Sequence, residues 1–265
     1  MSAIIKASRV VKKFGKLTAV NDVSFEVEEG QIFAFLGPNG AGKSTTIKML
    51  TTLLQPTSGS LSLAGFDVVK HQDSARKSFG IVFQDPSVDD ELTAYENMQL
   101  HAVLYGISAG QSKQRVEELL TLVELWERRD YQVKTFSGGM KRRLEIARGL
   151  LHHPKILFLD EPTLGLDTQT RNLLWKYVKQ LSQKEGMTVF FTTHYLEEAE
   201  QIAEQIAIID HGEIIARGTS SELQKQTKTK SLEQAYLSLT GKELRDEAAG
   251  GTENLRLHAR ARGRR

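Results

Sequence analysis

One segment constrains the fold of this 265-residue chain more than any other: an apolar run, a glycine-rich loop and a helical period follow one another directly. The apolar run is Ile32–Leu36, the loop reads Gly-Pro-Asn-Gly-Ala-Gly-Lys-Ser over residues 37–44, and the predicted helix is Gly42–Leu54. A buried strand that turns through glycines into a helix start aims backbone N–H groups and the positive end of the helix dipole at one point. The segment therefore predicts an α/β fold with an anion site where the strand ends.

The loop fits the pattern G-x-x-x-x-G-K-[ST] of a phosphate-binding loop. Lys43 is predicted to contact the β- and γ-phosphates of a nucleoside triphosphate, and the Ser44 hydroxyl is predicted to bind Mg²⁺. The residues of this predicted phosphate site are Gly37, Pro38, Asn39, Gly40, Ala41, Gly42, Lys43 and Ser44.

A second apolar run, Ile156–Leu159, ends in the acidic pair Asp160 and Glu161. In a parallel sheet the carboxyl ends of the strands meet at one edge, so this pair is expected beside the phosphate loop. Asp160 is predicted to bind Mg²⁺ through water molecules, and Glu161 is predicted to polarise the attacking water.

The composition narrows the class of protein. The chain has no cysteine, which excludes disulfides and thiolate metal clusters and suits a cytoplasmic protein. No run approaches the roughly 20 apolar residues that a membrane-spanning helix needs. Five arginines lie in residues 256–265, and without them the formal charge falls from +2 to −3, so the body shows no bias toward nucleic acid.

The apolar periodicity predicts alternating strands and helices. The predicted strands are Ile4–Val11, Val23–Val27, Ile32–Leu36, Ser60–Leu63, Gly80–Phe83, Ile156–Leu159, Thr188–Phe191 and Ile206–Ile209. The predicted helices are Gly42–Leu54, Ala94–Leu104, Ser112–Leu125 with Ser112 as its cap, Gly138–Leu151, Thr168–Gln183 and Leu196–Glu204. No strand-like apolar run occurs between Phe83 and Ile156, which predicts an inserted helical subdomain over about 85–151.

The C-terminal part of the chain is polar. Residues 219–247 are predicted to form a helical extension, and residues 248–265 to form a disordered basic tail.

The segment Phe136-Ser-Gly-Gly-Met140 precedes a helix and resembles the signature motif of ATP-binding cassette (ABC) ATPases, L-S-G-G-Q. Ser137 is predicted to cap that helix, and Gly138 and Gly139 leave its first N–H groups bare for a second anion. The chain thus has two phosphate-binding segments but a single phosphate loop, which indicates a head-to-tail homodimer that encloses two ATP molecules. Phe136 and Met140 depart from the motif, but neither change removes the Ser137 hydroxyl or the N–H groups.

Other residues resemble further elements of that family, in order from Phe14 to His194. The resemblance implies that Phe14 stacks on adenine, Gln84 senses Mg²⁺ and the attacking water, and His194 contacts the γ-phosphate. Leu166–Asp167 resembles the loop that communicates across the dimer. The family resemblance as a whole implies a phosphate-loop NTPase fold over residues 1–240, with a RecA-like core, an N-terminal antiparallel β subdomain and the helical insert. ATP would be bound by Phe14 and Thr45 as well as the phosphate loop, with Mg²⁺ held by Ser44, Gln84 and Asp160.

Residues 96–106, the signature helix and residues 232–245 resemble motors of the ABC-2 export group, of the daunorubicin-resistance type. The resemblance implies a motor on the cytoplasmic face of the membrane, attached through a separately encoded ABC-2 permease that selects the cargo. The alternatives are the motor of an ABC importer, or a soluble ABC ATPase that acts on ribosomes or DNA ends. Ribosomal types carry two cassettes in one chain, whereas this chain has one. DNA-end types separate the two halves of the site with a long coiled coil, for which the interval from Gln84 to Ser137 is far too short. The genes next to this one would separate export from import.

Overall fold

The structure is a computed structural model that describes residues 3–241, so the predicted tail over 248–265 lies outside the described residues. Its strands are β1 (Ala3–Phe14), β2 (Leu17–Glu28), β3 (Ile32–Leu36), β4 (Ser58–Leu63), β5 (Phe66–Asp67), β6 (Phe79–Val82), β7 (Ile156–Asp160), β8 (Thr188–Thr193), β9 (Gln205–Asp210) and β10 (Glu213–Gly218). Its α-helices are α1 (Lys43–Leu50), α2 (Gln72–Lys77), α3 (Ala94–Leu104), α4 (Ala109–Leu122), α5 (Gly138–Gly149), α6 (Thr168–Glu185), α7 (Leu196–Ile202), α8 (Ser220–Thr227) and α9 (Leu232–Thr240). Among these described helices, none is long and apolar enough to cross a bilayer.

The larger sheet has six strands in the order β10-β9-β3-β8-β7-β6 and is parallel except for β10. Strands that are distant in sequence become neighbours because parallel strands are joined by crossover connections. The carboxyl ends of β3, β8 and β7 therefore lie side by side. The phosphate loop, His194 and Glu161 follow these three strands, so the sheet order brings them to one edge.

The smaller sheet, β2-β1-β4-β5, is antiparallel and packs on one face of the larger sheet. Phenylalanine rings join the two: Phe25 of β2 lies 5.6 Å from Phe33 of β3, which lies 5.4 Å from Phe190 of β8. Alternate residues of β3 face the two cores, as the twofold period of a strand requires. The predicted class, an α/β phosphate-loop fold with an antiparallel subdomain and inserted helices, is confirmed.

Helices α3, α4 and α5 follow one another between β6 and β7, where the strand signal lapses. Thr93 begins α3 with a capping box: its side chain accepts from the Glu96 N–H, and the Glu96 carboxylate accepts from the Thr93 N–H. The prediction that Ser112 caps α4 is wrong, because the helix begins one turn earlier, after Ser108. Ser112 is buried inside α4 and its hydroxyl donates to the Ala109 carbonyl at 3.1 Å.

Strands β1 and β2 exceed their predicted lengths the most, and several short elements were missed. β1 and β2 form a hairpin in which Phe14 pairs with Leu17, and the turn is possible because Gly15 adopts a φ of +57°. Polar residues at the ends of both strands break the apolar pattern, which hid their length. β5, β10 and α2 were not predicted, although the His211–Gly212 pair between β9 and β10 is a typical two-residue hairpin turn. Helix α8 lies inside the predicted helical extension.

Candidate active site

The phosphate loop is held in place by the strands around it. A Cβ at Gly37 would lie 2.2 Å from the Ile209 carbonyl oxygen, so only glycine allows the chain to leave β3 there. The Ala41 carbonyl accepts from the Gly212 N–H at 3.0 Å, which ties the loop to the β9–β10 turn. Gly42 begins α1 with a φ of +103° and supplies no side-chain cap. The first turn of α1 is therefore free to bind an anion through its N–H groups.

Lys43 is buried, with only 4% of its surface exposed. Its Nζ donates to the carbonyl oxygens of Gly37 at 2.8 Å and Pro38 at 3.1 Å. The same ammonium lies 3.0 Å from Oε1 of Glu161. These contacts fix a positive charge at the loop, where a phosphate oxygen would need it.

Glu161 lies between two basic side chains at the end of β7. Its second carboxylate oxygen, Oε2, is 3.2 Å from Nδ1 of His194. Burial raises the pKa of this carboxyl, but the His194 side chain and the Lys43 ammonium lower it by more, to about 2. Glu161 also has a φ of +47°, an uncommon backbone conformation for a residue other than glycine, and its N–H donates to Thr192 Oγ1 at 2.9 Å. Backbone strain of this kind is concentrated at functional sites.

Asp160 and Ser44 present hard oxygen atoms beside this cluster. The Ser44 hydroxyl donates to Oδ1 of Asp160 at 3.2 Å, and the Thr192 hydroxyl donates to the same oxygen at 2.6 Å. A carboxylate and a hydroxyl this close match the donors that Mg²⁺ uses when phosphates complete its coordination. The structure thus brings together two of the three predicted metal ligands.

Gln84, the third predicted metal ligand, lies beyond the end of β6, which stops at Val82. Its side chain is exposed, and its carbonyl oxygen accepts from the Arg142 guanidinium at 3.3 Å. The predicted placement of Gln84 at the end of a strand is thus two residues off. Phe14, the predicted adenine partner, ends β1 with 45% of its surface exposed, and the Lys12 ammonium lies 5.1 Å from its ring centre.

The signature segment begins α5, and Ser137 caps it as predicted: its hydroxyl accepts from the Met140 N–H at 3.3 Å. A Cβ at Gly139 would lie 2.2 Å from Thr170 Cγ2, so the start of α5 packs tightly against α6. Asp167 caps α6 by accepting from the Thr170 N–H at 2.9 Å and the Thr170 hydroxyl at 2.6 Å, and these bonds lower the pKa of its carboxyl. The signature segment and the Leu166–Asp167 loop are thus neighbours within one subunit.

Comparison with known proteins identifies the family. Residues 20–164 match the family described as ABC transporter. The linearmycin resistance ATP-binding protein LnrL of Bacillus subtilis is 44% identical over 220 residues, which are 83% of this chain and 70% of that protein. The daunorubicin/doxorubicin resistance ATP-binding protein DrrA of Streptomyces peucetius is 45% identical over 219 residues, 83% of this chain and 66% of that protein. The chain belongs to the ABC transporter ATPase family.

Solved structures of this family superpose on the chain. An ATP-binding subunit of an ABC transporter has a TM-score of 0.81 at 30% identity, over 89% of this chain and 99% of that one. A dimeric ATP-binding cassette in a post-hydrolysis state with ADP and phosphate has a TM-score of 0.72 at 29% identity, over 81% and 98%. The chain is accordingly an ATP-binding ATPase.

Sequence reasoning missed two supporting residues. The Thr192 hydroxyl bridges the Asp160 carboxylate and the Glu161 N–H. The only feature of the sequence that could have identified Thr192 was its position one residue before the end of β8. Glu198 is buried and accepts from the hydroxyls of Thr163 at 2.5 Å and Thr193 at 2.9 Å. Glu198 therefore links the chain after Glu161 to the chain before His194, and a single buried acid in an amphipathic helix gave no sign of this.

The lowered pKa of Glu161 predicts how the free energy of unfolding depends on pH. A carboxyl whose pKa is lower in the folded state stabilises the fold above its ordinary pKa of 4.5, and this contribution is lost as the pH falls toward 2. We expect the stability difference between the parent and Glu161→Gln to shrink by on the order of 1 kcal/mol between pH 5.5 and pH 3.5. Urea titrations of both proteins at each pH measure it. A difference that does not change with pH would contradict the pairing of Glu161 with Lys43 and His194.

Proposed function

We propose that this chain is the ATP-hydrolysing motor of an ABC-2-type exporter, which works as a homodimer on the cytoplasmic face of a separate membrane permease. The observation that carries the chemical part is the position of Glu161, whose carboxylate lies 3.0 Å from the Lys43 ammonium and 3.2 Å from the His194 imidazole. The export part is supported by the names of relatives: LnrL and DrrA are resistance ATP-binding proteins, and a third relative, from Cupriavidus metallidurans, is a Nod factor export ATP-binding protein.

In the proposed cycle, the triphosphate of ATP replaces Glu161 as the anionic partner of Lys43. The phosphates are held by the loop Gly37–Thr45 and the first N–H groups of α1, and the adenine stacks on Phe14. Ser44, Asp160 and Gln84 would hold Mg²⁺, which would supply positive charge to offset that of the phosphates. When Lys43 turns to the phosphates, the strongest nearby positive charge leaves Glu161, so the pKa of its carboxyl rises and it becomes a better proton acceptor.

Hydrolysis then takes place with Glu161 and His194 at the γ-phosphate. The Glu161 carboxylate accepts a hydrogen bond from the attacking water, and Gln84 orients the same water. The water oxygen forms a bond to the γ-phosphorus as the bond to the β–γ bridging oxygen breaks, and the proton passes toward Glu161. His194 donates to a γ-phosphate oxygen, where negative charge is concentrated.

The proposed homodimer supplies the opposite side of each nucleotide. Ser137, Gly138 and Gly139 of one subunit contact the γ-phosphate held by its partner, because the start of α5 is a second helix N-terminus with small residues. Asp167 lies beside this helix start, since its capping partner Thr170 packs on Gly139. This position supports the proposal that the Leu166–Asp167 loop senses whether the partner's phosphate is present.

The contact with the permease is proposed at the segment Asp85–Glu96 and the adjoining face of α3. Three apolar side chains of α3 are exposed: Leu100 at 46%, Val103 at 72% and Leu104 at 69%. An exposed apolar cluster on one helix is typical of a protein interface. Helix α3 continues the chain directly from the segment after Gln84, which connects this surface to the proposed nucleotide site.

The proposal is tested by expressing the tagged chain with the permease encoded beside its gene. We expect the permease to copurify from detergent-solubilised membranes, and Val103→Asp to reduce its recovery at least about fivefold, since a charge must be desolvated in an apolar interface. Leu53→Asp is the matched control, because Leu53 is 57% exposed elsewhere on the surface. Recovery of the chain without the permease would overturn the export part, and a solute-binding protein in the complex would indicate an importer.

A further inference from the structure

Helix α5 carries three buried charged side chains behind the signature segment: Arg142, Glu145 and Arg148, which are 6%, 1% and 7% exposed. Their spacing of three residues places them along one side of the helix. Arg142 Nη1 lies 3.0 Å from Glu145 Oε2, so two of the three form a buried ion pair. Charged groups are rarely buried unless every donor and acceptor has a partner, so the contacts of this group identify what it holds.

The Arg142 guanidinium binds carbonyl oxygens from two separate segments. Its Nε donates to Pro162 at 2.9 Å, and its Nη2 donates to Glu161 at 3.3 Å. Nη2 also donates to Gln84 at 3.3 Å, and Nη1 donates to Phe83. One planar side chain therefore holds the backbone at both Gln84 and Glu161, the residues proposed to orient and polarise the attacking water.

Glu145 and Arg148 hold the other end of the segment that begins at Phe83. The Glu145 carboxylate accepts from the Ser87 N–H at 2.6 Å and from the Ser87 hydroxyl at 3.0 Å. Arg148 donates to the Ser87 carbonyl at 2.6 Å and to the Ser87 hydroxyl at 2.7 Å. Residues 83–87 are thus tied to α5 at both ends, and α5 begins at the signature serine.

We propose that Arg142 is a positioning residue for ATP hydrolysis, which makes the orientation of Gln84 and Glu161 depend on the placement of the helix that starts at Ser137. An α-helix moves as a rigid rod over five residues, so a displacement of Ser137 by the partner's nucleotide also displaces Arg142. Arg142 in turn shifts the backbone that it binds at residues 83–84 and 161–162. The guanidinium suits this role because its donors form a fixed planar fork. The proposal rests on the proposed roles of Gln84 and Glu161.

The test compares Arg142→Lys with Arg143→Lys. Arg143 is the adjacent arginine in α5 and donates instead to the Val123 carbonyl at 2.8 Å, away from the nucleotide site. Lysine keeps the charge but cannot bind both segments at once. We expect Arg142→Lys to lower kcat for ATP about 10- to 100-fold with KM within about threefold, because small displacements of catalytic groups have effects of this size. Arg143→Lys is expected to stay within about threefold of the parent.

A second readout separates positioning from general destabilisation. Because Arg142→Lys binds ATP but hydrolyses it slowly, it should accumulate an ATP-dependent dimer in size-exclusion chromatography, which the parent loses as it turns over. If Arg142→Lys does not fold, Glu145→Gln tests the same network, since it removes the ion pair and keeps the guanidinium. The proposal is overturned if the folded variant hydrolyses ATP like Arg143→Lys, if kcat, ATP binding and dimerisation fall together, or if neither variant folds.

The parent and Glu161→Gln are measured in the same experiment. A parent without ATPase activity, or a Glu161→Gln variant as active as the parent, would contradict the proposed function itself. If the parent and Glu161→Gln behave as expected while Arg142→Lys hydrolyses ATP like Arg143→Lys, the proposed function stands and only the proposed role of Arg142 is contradicted.

Discussion

Glu161→Gln is expected to lower kcat for ATP hydrolysis by about 10²- to 10⁴-fold, the usual contribution of a group that accepts the proton in the transition state. The glutamine side chain has nearly the same shape, but it cannot accept the proton of the attacking water. ATP binding should be preserved, because the phosphate loop, Lys43 and the start of α1 are unchanged. It should even be tighter, since the triphosphate no longer competes with a carboxylate for the Lys43 ammonium, which lies 3.0 Å from Glu161 Oε1.

The measurements are steady-state release of phosphate, binding of a fluorescent ATP analogue, and the elution volume with and without ATP. The variant should elute as a dimer in ATP, because the closed dimer forms and is not resolved by hydrolysis. Glu197→Gln serves as a control, since Glu197 is an exposed acid three residues beyond His194. Parental activity in Glu161→Gln would show that another residue polarises the water.

Lys43→Met is expected to weaken ATP binding by at least about 100-fold. Methionine fills a similar volume but removes the charge, and hydrogen bonds from charged donors contribute about 1.5–3 kcal/mol each. The Glu161 carboxylate would also lose the partner that opposes its burial, which raises the pKa of Glu161 and destabilises the fold without nucleotide.

This second prediction is measured by direct titration and by thermal unfolding. ATP should raise the Tm of the parent and leave that of Lys43→Met unchanged, since a ligand stabilises only when its concentration exceeds its Kd. Lys48→Met is the matched control, because Lys48 lies on the same helix but is exposed. An equal ATP-dependent rise in Tm in both variants would exclude Lys43 from phosphate binding.

Much of the fold was predictable because its signals are local. Three features of the sequence reflect hydrogen bonding or burial within a few residues. They are the apolar run before Gly37, the acidic pair after Leu159 and the absence of strand-like apolar runs after Phe83. The same locality explains the errors. Ser112 and Ser108 are equally good caps on local grounds, and the structure places Ser112 inside α4, where its hydroxyl donates to Gln99 of α3 at 3.2 Å.

The residues of the candidate site also fall into two groups, those that local sequence patterns identify and those that they do not. The phosphate loop, Asp160, Glu161 and the Ser137 cap follow from patterns within single segments, whereas the roles of Phe14, Gln84, Asp167 and His194 came from family resemblance and stay predictions. Thr192, Glu198 and Arg142 were not found at all. Each acts through a residue from another segment, and a single threonine, glutamate or arginine in a strand or helix has no distinctive local pattern.

By itself, the sequence determined that a phosphate-binding loop follows a buried strand, and that an acidic strand end and a glycine-rich helix start accompany it, because backbone geometry and helix capping depend on adjacent residues. Only the tertiary structure decided that Lys43 pairs with Glu161, that His194 lies against the same carboxylate, and that Arg142 holds Gln84 and Glu161 together. The order of the parallel strands, with β8 between β3 and β7, produces these contacts. That order depends on how the crossover helices cover both faces of the sheet, which is a property of the whole chain.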